Sequence, residues 1–324
     1  MKKILFATTA LVATAGVASA EVALTGSAEM GVFGGNEVDT QFFTDLDVTF
    51  TMTGEADNGL TFGATIDLDE AADRSNPGRF ESPNVQGGEN MFVSWGGMTF
   101  TMGDTDGALD KVVPEMALAG GSLADDETIH AGFQHLDGSD DGVYGLDGLG
   151  DGQVARFDYA YDAFTFSLSA EQIADGADID GFGDTVWGLG GSWNGQVSTF
   201  DLTVGLGYQT VEDYASTTGL GVVAGFAGGF SAGLDYSNTD IDDIDEDVTH
   251  WGVGFGYEMN AIAVGLNWGK FEFDGDEASG YGLAASYDLG GGLSAKFGYG
   301  HSASDFDSDM DDLNTYSLGL AMSF

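Results

Sequence analysis

The stretch Thr315–Phe324 reads T-Y-S-L-G-L-A-M-S-F. Tyr316, Leu318, Leu320, Met322 and Phe324 alternate with Ser317, Gly319, Ala321 and Ser323. Side chains alternate with period two along a strand, so this is a ribbon with one apolar face and one small, polar face. An edge strand of a soluble sandwich could carry that pattern. A wholly apolar face at a chain end is out of place there, because termini fray into water. A membrane barrel uses it: the last strand closes the sheet against the first, and the aromatic residue lies in the interfacial girdle. The expectation is a closing strand, with Phe324 needed for assembly.

Residues 1–20 begin with Lys2 and Lys3, continue through an apolar run from Ile4 to Val17, and end Ala18-Ser19-Ala20. That is the pattern of a secretory signal peptide, which predicts a mature barrel domain over 21–324. The segment Thr217–Leu234 is poor in charge but carries six glycines, a composition unfit for a membrane helix. With period two it becomes a hairpin around Ala227-Gly228-Gly229. The chain has no cysteine, so no disulfide or thiolate metal site. Three prolines and 53 dispersed glycines fit many short strands with tight turns.

Eight basic residues face 54 acidic ones. Losing Lys2 and Lys3 with the leader leaves 6 against 54, a net charge of −48. Binding to a nucleic-acid backbone needs Lys and Arg and is excluded. Such acidity either solvates a protein in a saline habitat or favours cations.

Alternating segments recur along the whole chain, sixteen in all, each about the length of a transmembrane strand. Short Gly or Asn turns alternate with longer polar loops, and an even count puts both termini on the short-turn side. The hairpin Asn90–Met102 is short for a bilayer, which places it at an interface between subunits. Trp95, Tyr161, Trp193, Tyr257, Tyr287 and Phe324 fall near the short turns. Tyr208, Tyr236, Trp268, Tyr281 and Tyr299 fall near the other end. Opposite the apolar positions stand small or polar residues, among them Thr61, Asp67, Arg156, Asp158, Asp201, Asp235, His250 and Lys296. The pattern is inside out relative to a sandwich: apolar to lipid, polar to a water-filled lumen. The fold class is all-β, a transmembrane antiparallel up-and-down barrel of 16 strands.

From Asp104 to Gly152 the alternation stops. This segment carries Asp104, Asp106, Asp110, Glu115, Asp125, Asp126, Glu127, Asp137, Asp140 and Asp141, with Lys111 as its lysine. Loops of such length are functional or disordered.

The chain resembles the general diffusion porins of Gram-negative bacteria, specifically the sixteen-stranded alphaproteobacterial type. The resemblance rests on E-V-A-L-T-G-S-A-E-M-G-V (Glu21–Val32), G-L-T-F-G-A (Gly59–Ala64), Met102-Gly103-Asp104 opening the long loop, and Y-D-L-G-G-G-L-S (Tyr287–Ser294). The terminal Phe324 resembles the signature read by the outer-membrane assembly machinery. The resemblance implies a homotrimer in the outer membrane, in contact with lipid and lipopolysaccharide, passing small hydrophilic solutes. It also implies that loop 104–152 folds inward as a constriction facing a basic wall. That wall is thin here. Arg156 matches a basic position, but Asp45 and Asp47 stand where arginine is expected, and Arg74 and Arg79 lie in a loop. The expected lining is therefore acidic: Asp104, Asp106, Asp110, Glu115, Asp125, Asp126, Glu127 and Arg156 at the constriction, and Asp45, Asp47, Asp201, Asp235, His250 and Lys296 on the wall. Cations are the preferred solutes on this reading.

Other chemistry is weak. Asp305, Asp307 and Asp309 have calcium-loop spacing, but Met310 replaces the turn glycine and Tyr316 the bidentate glutamate, so an EF-hand is rejected. Loosely bound Ca2+ at the acidic loops, bridging lipid headgroups, competes with plain solvated charge, and no cofactor is expected. The histidines His130, His135, His250 and His301 lack H-E-x-x-H spacing, and no serine partner makes His250 a hydrolase residue. The chain is not read as an enzyme. Its rivals are a non-conducting surface barrel, serving as adhesin or anchor, and an acidic secreted binding module.

Overall fold

The computed structural model describes residues 21–71, 85–123, 128–136, 145–149, 153–172, 185–242, 244, 246–306 and 312–324. The leader lies outside these residues, as do Arg74, Arg79, Asp125, Asp126, Glu127, Asp137, Asp140, Asp141, Asp307 and Asp309.

The first eight strands are β1 (Glu21–Gly35), β2 (Gln41–Glu55), β3 (Thr61–Ala71), β4 (Val85–Trp95), β5 (Met98–Gly103), β6 (Val154–Tyr161), β7 (Phe164–Gln172) and β8 (Thr185–Val197). The second eight are β9 (Phe200–Val211), β10 (Ala215–Gly225), β11 (Phe230–Ile241), β12 (Val248–Met259), β13 (Ile262–Phe273), β14 (Asp276–Gly290), β15 (Leu293–Ser304) and β16 (Leu313–Ser323). Each pairs antiparallel with its sequence neighbours, and β1 pairs with β16 to close the barrel. Closure leaves no edge and satisfies the ladder groups internally, the condition for a sheet in hydrocarbon. The seam runs from Ser27 opposite Ser323 to Gly35 opposite Thr315, so the stretch at 315–324 is the closing strand.

The two faces separate as the alternation requires. Leu206 is 55% exposed on the outside, while Gln209 on the inward face is fully buried. Outward apolar residues line up across the ladders: Leu206 with Leu220, Phe255 with Leu266, Phe297 with Leu318. Aromatic residues mark both rims, with Trp95, Tyr161, Tyr287 and Phe324 exposed at one and Tyr208, Trp251 and Trp268 at the other.

Two expectations about lengths are corrected. β4 has 11 residues and is no short arm; the low part of the wall is β5, with six residues, and β6, with eight. Gln86 and Gly87 still pair with Leu68 and Asp67 after a register shift, because backbone groups need partners where side-chain alternation has lapsed. At the far rim two connections are tight turns rather than long loops, at residues 212–214 and 274–275. Asp274 and Gly275 both take positive φ, 50° and 89°, as a two-residue hairpin turn requires.

From Asp104 the chain leaves the wall and folds inward, forming one short helix, α1 (Ala108–Val112). Leu109, Val112 and Val113 pack with Leu136. Leu123 packs against Phe33 and Phe43, and Leu146 against Val186, Val211 and Ala215. The first cluster joins two parts of the loop, and the other two lie between the loop and the inner face of the barrel.

Candidate functional site

The loop is tied to the wall by hydrogen bonds from strand after strand. Ala108 N–H donates to Ser169 Oγ of β7 at 2.8 Å, and Leu146 N–H to Gln209 Oε1 of β9 at 3.2 Å. Asn267 of β13 donates its amide to Thr128 O at 2.9 Å, and His250 Nε2 of β12 donates to Gly132 O at 2.9 Å. Ser237 of β11 meets Gln134, Ser302 of β15 accepts from Ala131 N–H at 3.0 Å, and Ser317 of β16 from Leu123 N–H at 3.3 Å. An irregular backbone buried against a sheet must find such partners. Polar residues on the inward faces of β7, β9, β11, β12, β13, β15 and β16 supply them, and apart from His250 this is the functional set that pattern reading missed. Its signal was the Ser, Asn and Gln in the inward phase of these strands.

The two feet of the loop meet at Asp147. Its Oδ2 accepts from Gly107 N–H at 2.7 Å and its Oδ1 from Gln209. Beside it, Gly148 N–H donates to Glu171 Oε2 at 2.9 Å. Burial pushes the Asp147 carboxyl up to about 8; the bonds from Gly107 and Gln209 lower it, and the charges of Glu171 and Asp110 raise it. Burial holds His130 on the return arm down to about 4, with Asn267 opposing the shift and His250 and His301 adding to it.

The expected site residues divide into three groups. Arg156 keeps the inward phase of β6, but the loop covers it. It is 5% exposed beneath the first foot, bonded to Asp158 at 3.0 Å, Thr105 Oγ1 at 3.1 Å and Asp106 O. Asp106 lies 3.8 Å from the same guanidinium, and Asp104 accepts from Gly88 N–H at 2.7 Å. Asp235 and His250 point inward as expected, but the loop covers them: they are 5% and 1% exposed, so they are not water-lined wall. Glu115 reaches the lumen side of the loop, paired with His135 across its two arms at 2.7 Å, beside a cavity of about 410 Å³. Asp110 is half-buried on α1.

On β1 to β3, which the loop touches at Leu123, the inward phase carries Glu29, Asp45, Asp47 and Asp67. Ser27 Oγ donates to Asp47 at 2.7 Å and Thr49 Oγ1 to Asp67 at 3.0 Å. Lys296 Nζ meets Glu29 Oε1 at 2.7 Å. A recess of about 490 Å³ opens here, lined by Ser27, Glu29, Asp45, Asp47, Ser294 and Lys296. Asp201 is exposed near the same rim, with Gln196 at 3.4 Å. On these strands carboxylates stand where the resemblance implies a basic wall. Among the described residues no group of three or more His, Asp or Glu has the arrangement to hold a metal ion.

Comparison with known proteins bears on this architecture. A family model of Gram-negative porins matches residues 7–307. A porin of Rhodobacter capsulatus is 28% identical over 305 residues, covering 85% of this chain and 92% of that one. A substituted Rh. blastica porin superposes with a TM-score of 0.70 at 18% identity, over 94% of this chain and 100% of that one. A porin structure refined at 1.8 Å gives 0.70 at 22% identity with the same coverage. The two structures speak for the fold, and the family match spans nearly the whole sequence. The chain belongs to the Gram-negative porins, as a multi-pass outer-membrane channel of the alphaproteobacterial sixteen-stranded type.

Proposed function

We propose that the barrel is a water-filled, cation-selective pore for small hydrophilic solutes, narrowed by loop 104–152. The observation that carries this is acid on both sides of the lumen: Glu115 on the loop, and Glu29, Asp45, Asp47 and Asp67 on the wall. Nearby cations are already matched, Lys296 by Glu29 and Arg156 by Asp158. A low-dielectric tube focuses the field of its fixed charges, so ions crossing it meet a negative potential. Screening sets its reach, about 30 Å at 0.01 M salt and about 3 Å at 1 M. Reversal potentials across planar bilayers under KCl gradients test the reading. Cations are favoured in dilute salt, with the preference declining steeply toward molar salt; anion preference in dilute salt overturns it. A folded barrel that never conducts supports the surface-barrel alternative.

The pore works as a homotrimer on this reading, as its porin relatives suggest. The six residues of β5 reach about 20 Å at roughly 3.3 Å each, less than an apolar band of about 25 Å. Phe100, Met102 and Phe157 are exposed on that low wall, which protein covers better than lipid. Light scattering in mild detergent tests it, and a conducting monomer counts against it.

A further inference from the structure

Eight residues of the loop, Val112 to Ala119, cross the inner faces of five strands. Each step falls on a glycine. A side chain on Gly205 of β9 would collide with Val112 O, and one on Gly221 of β10 would come within 2.7 Å of Pro114 Cδ. On Gly254 of β12 it would meet Met116 O, and on Gly265 of β13 Ala119 O. The distances agree with an extended run: the seven steps from Val112 to Ala119 span about 23 Å, and four strand spacings about 19 Å. These glycines adjoin across the ladders, Gly205 opposite Gly221 and Gly233 opposite Gly254. Glycine weakens a strand and marks the close approach of another backbone.

We infer that the inward glycines of β9 to β13 are the seat of the loop, and that their lack of a side chain sets how far it projects into the lumen and so the pore's width. This rests on the loop being the constriction. A Cβ at Gly205 or Gly265 forces a shift on the order of 1 Å to restore a normal contact of about 3.5 Å. The wall is a closed hydrogen-bonded hoop and cannot retreat, so the loop moves toward the axis. Charge plays no part in this seat, which therefore acts at any salt concentration.

The test is single-channel conductance in 1 M KCl, where fixed charge is screened. Gly205→Ala and Gly265→Ala are expected to conduct less than wild type. Gly225→Ala, on the same inward face of β10 with only Asp201 Cβ at 3.8 Å, is expected to match wild type. Wild-type or higher conductance in the first two, or an equal loss in the third, overturns the proposal. If the first two yield no folded barrel, Gly233→Ala carries the test: its Cβ would meet Met116 Sδ at 2.7 Å and Val223 Cγ2 at 3.0 Å. A loss there, restored by adding Met116→Ala, supports the seat; no loss, or an unrestored one, overturns it. Glu115→Arg, read by reversal potential in 0.01 M KCl where screening is weak, reports separately on the constriction. Unchanged selectivity in that variant removes the premise, whereas changed selectivity with unaffected alanine variants removes the seat alone.

Discussion

Gly107 and Asp147 stand forty residues apart in the chain, yet the Gly107 N–H donates to the Asp147 carboxylate at 2.7 Å and joins the two feet of the internal loop. The carboxyl is buried, its value is raised to about 8, and Glu171 and Asp110 add negative charge nearby. A raised acid favours the neutral form in the docked state. Its contribution to docking is complete below its ordinary value near 4 and is lost as pH rises through about 8. Amide exchange of residues 105–112, corrected for intrinsic rates, is expected to speed up between pH 6 and pH 9. Asp147→Asn should abolish that change; an identical pH response in the variant refutes the assignment.

Arg156→Ala is expected to loosen the first foot and leave selectivity nearly unchanged, because its pair with Asp158 is buried beneath Thr105 and Asp106 and does not line the lumen. Removing one partner of a buried pair costs about 3–5 kcal/mol. Thermal unfolding in detergent should shift downward, and open-channel noise should rise. A large gain in cation preference with unaltered stability would place Arg156 in the lumen instead.

Lys296→Met removes a positive charge 2.7 Å from Glu29 on the acidic wall. Cation preference is expected to increase in 0.01 M KCl and to change little at 1 M, following the screening length. Equal effects at both concentrations would mean a change of pore shape rather than of potential.

Deleting Phe324 removes the Phe324 N–H to Gly26 O bond of 2.8 Å and its return bond of 3.4 Å at the closing seam. At about 1 kcal/mol each these matter less for stability than for completing the hoop. Heat-modifiable mobility of outer-membrane fractions should show less folded barrel; normal amounts would argue against a role in assembly.

Leu206 on the outer face and Thr203 on the inner face separate the two environments within one strand. Leu206→Lys is expected to destabilise the barrel by about 2–4 kcal/mol, the cost of a lysine near the bilayer midplane. Thr203→Lys should be tolerated. Urea unfolding in lipid vesicles measures both, and equal costs would contradict the inside-out arrangement.

The barrel was legible in the residues because period-two alternation is local: each strand of Val, Leu, Phe and Tyr against Thr, Ser and Gly carries its own two faces. Trp95 and Tyr287 at strand ends marked the rims, and the interval from Asp104 to Gly152 stood out by losing the pattern. Three things were decided only in tertiary structure. Arg156 matches a basic wall position in sequence, but the first foot of the loop, at Thr105 and Asp106, buries it. Asp235 and His250 have the inward phase of lumen residues, and the same loop covers them. Gly205 and Gly265 resemble any strand glycine until Val112 and Ala119 are laid upon them. A side chain's phase follows from its own strand, whereas its exposure depends on a segment distant in sequence, whose path is set by packing and hydrogen bonds along the whole inner wall.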